Sequence, residues 1–369
     1  MIPFVITYCL LYGVLILLIV FTGFFLQVRK ESSYENEKGF ELDEISVIIP
    51  FRDEESRLEG LIKSIQQATV LPKEIIFVDD HSADNGIKII EKELEGYPVK
   101  VIKMSADLVG KKKAIRFGME QCSGKYLLTL DADVNFNKEF FKNLESLERC
   151  TMYVRPAVMK ANRLTEYFYE IDLALVNAVN VGVAGWKRPI MASGANLMCN
   201  IEVFKRIDSI QCHEQVASGD DMYALKDFRE NGESIRLISN LEHAIYTETP
   251  QSFSEFINQR LRWLGKTSDL KDNLSTVLAI VQTILTLMFF VIVIGSICQL
   301  DYRALCMLVG IKTMIDLLAF LPYLKRIKRI KTWLFIPLYE LFFPFYILIL
   351  IGGLFFYKPK WKGRVVKHK

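Results

Sequence analysis

The stretch KYLLTLDADVNF (residues 125–136) decides the fold, because in it a buried strand runs directly into two carboxylates. Residues 126–130 form a largely apolar run of the length typical of a strand that is covered on both faces. Asp131 and Asp133 follow at once. Burying a carboxylate is costly unless it is paired, so the end of this strand is predicted to be a functional site.

Short runs with the pattern of a strand also occur three times before this stretch. Strands are predicted at 45–51, 74–80 and 99–104, with helices between them at 55–67, 83–94 and 111–122. Strands that alternate with helices predict a mostly parallel α/β sheet. In such sheets ligands bind beyond the carboxyl ends of the strands. Polar or acidic residues stand at three of those ends, at 52–54, 79–80 and 131–133.

The composition excludes several classes of protein. The 369 residues are 51% hydrophobic and carry a net charge of only +3, without a basic segment that contains interleaved aromatics. This argues against a nucleic-acid partner. The seven cysteines include no CxxC pair and the four histidines show no ligand spacing, so neither a disulfide framework nor a zinc site is expected.

Four apolar segments are candidates for membrane spans. The first is free of charge and is followed by Arg29 and Lys30, which predicts an uncleaved anchor with the next residues in the cytoplasm. Lys312 and Asp316 interrupt the third, but at a spacing of four they could pair on one helix face. Three trailing spans would put the basic tail outside, so either the last run is a re-entrant hairpin or one segment lies on the surface. The segments are 2–26, 276–298, 304–321 and 333–357.

Two acidic strand ends suit a nucleotide bound with a metal ion. The DxD of Asp131 and Asp133 offers hard oxygen ligands to Mg2+ or Mn2+, which keeps waters and substrate phosphates as its other ligands. Asp is also common in plain turns, which leaves a structural interpretation open. Asp79 and Asp80 could accept a hydrogen bond from a base N–H, and Ser82 could cap the next helix.

Two glycine-containing turns could approach a ligand through their backbone. In GKKKAIRFGM (110–119), Gly110 and the lysines from Lys111 onward open a helix, and a helix N-terminus favours phosphate. A solvated basic turn has the same composition. In SGANLMCN (193–200), Gly194 and Ala195 would allow close contact with a sugar, although a plain β-turn is an equal alternative.

Asp220 and Asp221 stand ahead of a helical pattern in SGDDMYALKDF (218–228). Carboxylates at a helix start are ordinary matches to the helix dipole. In a cleft, such a carboxylate could instead deprotonate an acceptor hydroxyl as a general base. The spacing does not separate these two interpretations.

SFSEFINQRLRWLGK (252–266) is the most distinctive stretch, and its first residues have capping-box spacing. On the predicted helix Gln259, Arg262 and Trp263 share one face. Arg262 could bind a phosphate or carboxylate bidentately, and Trp263 offers a flat ring to a sugar or acceptor. Arg and Trp before a span are also typical anchors at the membrane interface.

Together and in this order, the motifs resemble family 2 glycosyltransferases of the GT-A fold, in particular the membrane-bound group with the D, DxD, D, QxxRW signature. SVIIPFRDEE resembles the first strand of that family, with Asp53 where Asn is more usual. EIIFVDDHSAD resembles its nucleotide-binding strand and GKKKAI its GKxxAL element, and DAD, SGANLM, SGDD and QRLRW follow. The resemblance covers about residues 45–266. It implies a Rossmann-like, mostly parallel α/β sheet with helices on both faces, and transmembrane helices at both ends.

The resemblance also implies a role for each position. Asp133, with Asp131, would ligate the metal, and Asp221 would be the general base of an inverting displacement. Asp80, with Asp79 beside it, would contact the base, usually uracil. The other donor-binding residues would be Pro50, Lys111, Asp131, Gly194, Ala195, Asn196, Gln259, Arg262 and Trp263, with Asp220 and Arg260 in support. Asp at 53 and at 220, where Asn and Glu are usual, leaves the nucleotide open.

The expected reaction moves a sugar from a nucleotide-sugar, a UDP-sugar first of all, to a lipid or lipid-linked acceptor at the membrane surface. Trp263 lies shortly before a span, and the apolar stretch 163–186 suits an interfacial helix or a core helix of an acceptor lid. A processive polysaccharide synthase is the first alternative. A non-catalytic membrane sensor of nucleotide-sugars is the second.

The predicted organisation has five parts in an integral protein of the bacterial inner membrane, with the catalytic domain in the cytoplasm. They are an anchor at 1–28, a linker at 29–44, a GT-A domain at 45–272, a membrane or interfacial region at 273–357 and a basic tail at 358–369.

Overall fold

The computed structural model describes residues 1–35, 39–207, 219–270, 272–357, 360–361 and 364–365. Part of the predicted linker (36–38) and most of the predicted tail lie outside the described residues. The chain forms two compact units. The sheet unit contains Lys30–Lys160, Met191–Thr249 and Lys358–Lys369, and the helical unit contains Met1–Arg29, Ala161–Ile190 and Pro250–Tyr357. The stretch 45–272, predicted as one domain, therefore contributes to both units.

The sheet unit is built on a seven-stranded sheet of order β3-β2-β1-β4-β8-β6-β9. Four of its six strand pairings are parallel, and β8 runs antiparallel to both of its neighbours. The strands are β1 (Ile45–Phe51), β2 (Glu74–Asp79), β3 (Val99–Lys103), β4 (Tyr126–Leu130), β6 (Met152–Val154), β8 (Asn196–Asn200) and β9 (Ile235–Leu237). The predicted fold class, a mostly parallel α/β sheet, is confirmed, and the four predicted strands lie where expected.

A smaller sheet of order β5-β10-β7 accompanies the large one. Its strands are β5 (Val134–Phe136), β7 (Ala157–Met159) and β10 (Ile245–Thr247). β10 pairs antiparallel with β5 and parallel with β7. Because β5 begins directly after Asp133, this sheet fixes the far side of the acidic turn.

Helices cover both faces of the large sheet. On one face Leu61 and Ile65 of α2 pack into a core with Val47 and Phe77. On the other face Gly118 of α4 lies so close that an added Cβ would come within 2.9 Å of Val78. Successive strand residues point to opposite faces, so a strand buried on both sides must be apolar throughout. The helices of this unit are α2 (Leu58–Gln67), α3 (Gly86–Glu93), α4 (Lys111–Glu120), α6 (Ile201–Ile207) and α7 (Asp220–Glu230).

A buried carboxylate, Glu74, lies at the start of β2, at the edge of the sheet opposite to the acidic strand ends. Glu74 accepts hydrogen bonds from the Ser46 hydroxyl at 2.7 Å and from the Ser123 N–H at 2.6 Å, and Lys100 lies 2.9 Å away. Burial alone would raise the pKa of Glu74, but these hydrogen bonds lower it to about 2. The ionised form is therefore preferred in the folded chain.

Within the part of the chain that the structure describes, the helical unit contains four helices that are long and apolar enough to cross a membrane. They are α1 (Ile2–Glu31), α9 (Asn273–Cys298), α10 (Tyr302–Arg326) and most of α12 (Ile336–Phe356). The unit also contains α5 (Tyr167–Trp186), α8 (Phe253–Leu270) and the short α11 (Ile330–Trp333). Two alternatives were left open for the last apolar run, and the re-entrant hairpin does not fit, because α12 continues as one helix through Pro344.

α5, the apolar stretch predicted as an interfacial or lid helix, packs against α1 through glycines. A Cβ at Gly23 would stand 2.2 Å from the Gly182 carbonyl oxygen, and one at Gly185 would stand 1.8 Å from the Gly23 carbonyl oxygen. Small residues allow two helix backbones to approach this closely. α5 is thus a packed member of the helical unit and not a helix that lies alone at a surface.

The predicted pairing of Lys312 with Asp316 on one helix face is confirmed, with 2.8 Å between the ammonium and the carboxylate. Lys312 also pairs with Glu340 of α12, and Tyr12 of α1 donates a hydrogen bond to Asp316. All four side chains are buried. The cluster therefore satisfies charges in an apolar helix by joining α1, α10 and α12.

We expect Glu74→Gln to destabilise the folded chain by about 1–2 kcal/mol at pH 7, after allowance for the exposure of Lys100. The lowered pKa contributes stability above about pH 4.5, and that contribution is lost as the pH falls toward 2. Thermal unfolding in detergent at pH 7, 4.5 and 3 should show that the difference in unfolding temperature between wild type and variant decreases as the pH falls. An equal difference at all three pH values would contradict this.

Candidate active site

Three acidic segments meet at one edge of the sheet because their strands are parallel and in register. Phe51 pairs with Asp79, and Ile48 pairs with Thr129, so β1, β2 and β4 end side by side. β8 begins opposite the end of β4, where Leu130 pairs with Asn196. This register brings the turn 193–195 to the same edge as the DxD segment.

The loops after β1 and β2 hold each other in strained conformations. Asp53 and His81 adopt positive φ values of 50° and 60°. The Asp53 N–H donates to the Ser82 hydroxyl at 3.1 Å, and the Ala83 N–H donates to Asp53 Oδ1 at 2.7 Å. The prediction that Ser82 caps the next helix is wrong, since its hydroxyl serves the neighbouring loop. Positive φ at non-glycine residues costs free energy and is concentrated at functional sites.

Asp79 and Asp80 have different environments. Asp79 is buried, and its Oδ1 accepts the Ser82 N–H at 2.9 Å, which closes the turn after β2. Asp80 is 2% exposed, and the Gly110 N–H donates to it. Burial raises the pKa of Asp80, although that hydrogen bond and the charge of Arg52 oppose the rise. Asp80 therefore links the end of β2 to the beginning of α4.

Lys111, the first residue of α4, is the centre of the acidic group. Its ammonium lies 2.5 Å from Asp131 Oδ1. Burial alone would lower the pKa of Lys111, but the charges of Asp131, Asp220 and Asp221 outweigh it and raise the pKa. Gly194 lies against the same group, since a Cβ there would stand 3.0 Å from an Asp220 oxygen and 3.3 Å from the Lys111 nitrogen. Five predicted site residues are thus brought together.

Asp221 is held at the N-terminus of α7. The Gly194 N–H donates to its Oδ2 at 3.0 Å, and the Met222 N–H donates to its Oδ1 at 2.8 Å. Gly219 precedes the helix with φ of 91°, a conformation that favours glycine. The two N–H groups fix the plane of the carboxylate relative to the 193–195 turn.

Asp133 stands among other carboxylates. Burial and the nearby charges of Asp131 and Glu54 raise the pKa of Asp133 to about 6, while Arg57, 3.7 Å away, opposes them. A divalent cation would relieve this repulsion, and carboxylate oxygens are the ligands that Mg2+ and Mn2+ take. Within the described residues no group of three or more His, Cys, Asp or Glu is arranged to hold a metal ion. The carboxylates of Asp131 and Asp133 are the kind of ligand that a cation bound also by phosphate and water would take.

Glu54 and Arg57 were not among the predicted site residues. They follow β1 in a segment whose charged composition is that of an ordinary exposed loop. Glu54 stands three positions after the last residue of β1 and Arg57 stands six positions after it, so nearness in the chain to a polar strand end was the available signal.

Asn196 was predicted to contact the donor, but its side chain lies inside the sheet unit. It is 0% exposed, and its amide donates to the carbonyl oxygens of Pro156 and His243, both at 2.9 Å. It therefore ties the 193–195 turn to β7 and to the segment before β10. Pro50 similarly lies within β1, where it pairs with Val78.

The predicted QxxRW residues lie on α8 and belong to the helical unit, whereas the acidic group belongs to the sheet unit. The predicted helix start is confirmed, because the Ser252 hydroxyl accepts the Glu255 N–H at 3.1 Å. Gln259, Arg262 and Trp263 are all partly exposed, whereas Arg260 is buried.

The comparisons with known proteins agree with this architecture. Residues 46–154 match the family model for glycosyl transferase family 2, and residues 126–355 match that for glycosyl transferase family group 2. The undecaprenyl-phosphate 4-deoxy-4-formamido-L-arabinose transferase of Proteus mirabilis is 29% identical over 182 residues, 47% of this chain and 53% of that protein. The dolichol-phosphate mannosyltransferase of Pyrococcus furiosus is 35% identical over 101 residues, 27% of this chain and 28% of that protein. The chain thus spans about half or less of the length of these curated relatives.

Among solved structures, the mannosyltransferase PcManGT from Pyrobaculum calidifontis, in complex with GDP-Man and Mn2+, has a TM-score of 0.53 at 14% identity. The match covers 94% of this chain and 98% of that one, and it shows a shared fold. The second family match spans more than half of the chain. The protein therefore belongs to glycosyl transferase family group 2, as the ordered motifs of its sequence predicted.

Proposed function

We propose that this chain transfers a sugar from a nucleotide-sugar to a lipid-phosphate acceptor at a membrane. The observation that carries the proposal is the convergence of Lys111, Asp131, Asp220, Asp221 and Gly194 at the carboxyl edge of the sheet. Two relatives named for undecaprenyl phosphate and dolichol phosphate support the acceptor class. Four apolar helices support a membrane location, and Arg29 and Lys30 after the first apolar segment support a cytoplasmic catalytic face.

The donor would lie along the edge formed by β1, β2 and β4. The N-terminus of α4 carries a positive helix dipole and the Lys111 ammonium, both of which favour a diphosphate. Asp80 lies at the same helix start and could accept a hydrogen bond from the base, a uracil in the first instance. Gly194 leaves the side of the site next to Lys111 free of a side chain.

A divalent cation would be held by Asp133, with Asp131 beside it. When bound, such a cation neutralises the charge that develops on the departing nucleoside diphosphate. Asp131 is already paired with Lys111. This ion pair holds the DxD segment in place against the repulsion between its two carboxylates. The raised pKa of Asp133 supports a site in which a cation is expected to be present.

Asp221 would accept the proton of the acceptor in a single inverting displacement. Its carboxylate is fixed by two backbone N–H groups, which supports a defined orientation toward the acceptor. A hydroxyl acceptor carries its proton at every accessible pH. A phosphate acceptor loses its second proton near pH 6 and then needs no base.

With a polyprenyl phosphate acceptor we expect Asp221→Asn to lower turnover about tenfold at pH 5, where only about a tenth of the acceptor has lost its second proton, and to have little effect at pH 8. With a lipid alcohol the loss should be at least about 100-fold at both pH values, within the usual range for loss of a general base. Initial rates with purified protein, several nucleotide-sugars and both acceptor types measure this, and full activity of a folded variant at pH 5 would contradict the assignment.

We expect Asp133→Asn to stabilise the metal-free chain at pH 7 by about 1–3 kcal/mol, while it abolishes metal-dependent transfer. The pKa of Asp133, raised from 3.8 to about 6, means that the folded chain binds this proton more tightly than the unfolded chain. Stability from this group is therefore present near pH 4 and falls as the pH rises to about 6.

Thermal unfolding in detergent with EDTA at pH 4, 5, 6 and 7 tests the Asp133 prediction. The gap between variant and wild type should open across that range, and added Mn2+ should stabilise only the wild type. A variant that is less stable than the wild type at pH 7 in EDTA would contradict it.

A further inference from the structure

The helical unit contains a buried carboxylate that the proposed reaction does not use. Asp172 lies in the second turn of the apolar helix α5 and is 4% exposed. Arg260 of α8 donates from Nε to its Oδ2, and Tyr339 of α12 donates to its Oδ1 at 2.9 Å. The carboxylate therefore joins three helices of this unit.

Arg260 in turn touches two of the predicted motif residues. Its guanidinium carbon lies 4.2 Å from the centroid of the Trp263 ring and 4.8 Å from that of Phe256. Its Nη1 donates to Gln259 Oε1 at 3.3 Å. One face of the guanidinium thus contacts the indole while its edge contacts the amide.

A buried ion pair of this kind adds little net stability, because the cost of removing two charges from water offsets their attraction. Its geometric effect is large, since a planar guanidinium bound to a carboxylate has a fixed orientation. A ring stacked on that plane is attracted to the cation and takes its orientation from it. The direction of Trp263 therefore depends on Asp172, a residue it does not need to touch.

We propose that Asp172 is a positioning residue, which acts through Arg260 to orient Trp263 and Gln259 for contact with the lipid acceptor. This inference rests on the proposed function for the meaning of that orientation. Tyr339 holds the second oxygen of Asp172 and lies on α12, a candidate membrane span. The orientation of the motif residues is thereby linked to the packing of an apolar helix.

The first test compares Asp172→Asn with a matched control on the same helix. Glu170 of α5 is 1% exposed and is bound by Arg329, with Nε at 2.7 Å, and by Thr332. We expect Asp172→Asn to raise the KM for the lipid acceptor at least tenfold, with the KM for the nucleotide-sugar within twofold. Glu170→Gln should lower the thermal unfolding temperature in detergent but leave the acceptor KM within twofold.

A double-mutant cycle shows whether Asp172 acts through Arg260. If it does, the acceptor KM of the double variant Asp172→Asn, Arg260→Lys should be no higher than that of the more impaired single variant. The proposal would be overturned if the two increases in acceptor KM multiply in the double variant, or if Glu170→Gln raises the acceptor KM equally. Tyr339→Phe is the milder variant if Asp172→Asn does not fold, and it should raise the acceptor KM two- to fivefold; an unchanged KM would also overturn it.

A measurement without activity separates this inference from the proposed function. In a background with Trp186→Phe, Trp333→Phe and Trp361→Phe, the indole of Trp263 is the only one left. Its fluorescence emission should change in Asp172→Asn and not in Glu170→Gln. If the wild type transfers no sugar but this change is seen, the proposed function fails and the coupling stands. No change in emission would refute the coupling itself.

Discussion

The contact between Lys111 and Asp131 is the interaction on which the candidate site depends. Parallel strands in register deliver several carboxylates to one sheet edge, and like charges this close repel one another unless a cation lies among them. Lys111 supplies one fixed positive charge, and it does so from the first turn of α4, whose dipole has the same sign. The remaining acidic excess, centred on Asp133, is the feature on which the proposed binding of a divalent cation, and of a diphosphate with it, depends.

In the helical unit, too, buried charges are neutralised by neighbouring side chains of opposite charge. Several of the unit's charged side chains are buried among apolar helices, and each of these has a partner of opposite charge. Lys312 pairs with Asp316 on the same helix and with Glu340 on α12, Glu170 pairs with Arg329 before α11, and Asp172 pairs with Arg260 on α8. Such pairs specify which helices pack together more than they stabilise the packing. The helix that carries the predicted QxxRW residues is one of those they specify.

Much of the fold could be predicted from the sequence, because strands buried on both faces leave a strong apolar signal. This signal predicts the four parallel strands and, between them, the helices. The start of α8 is predicted by its capping-box spacing instead. The end of the chain is less predictable, because an apolar composition indicates how long a segment is but not whether it stays straight or turns back. A hairpin was one alternative there, whereas α12 continues as one helix through Pro344. The short strands β5, β7, β9 and β10 have three residues each, too few for a periodic signal.

For the site, the sequence predicted several residues that the structure brings together, but not all of their partners. Asp80, Lys111, Asp131, Asp220 and Asp221 lie near strand ends or helix starts, where topology alone places them together. Ser82 and Asn196 show the limit, since each could hydrogen-bond in several ways and only the packing selects one. Asp172 carries a usable signal, because a carboxylate near the start of an apolar helix requires a partner when it is buried.

The account stands or falls on whether the acidic edge binds a metal-bound nucleoside diphosphate. The most direct measurement is an anomalous difference map from the protein crystallised with UDP and Mn2+. The account predicts one manganese peak within about 2.0–2.4 Å of an Asp133 oxygen, bridged to the diphosphate beside Lys111. Nucleotide bound without manganese near Asp133, or manganese bound only elsewhere, would contradict it.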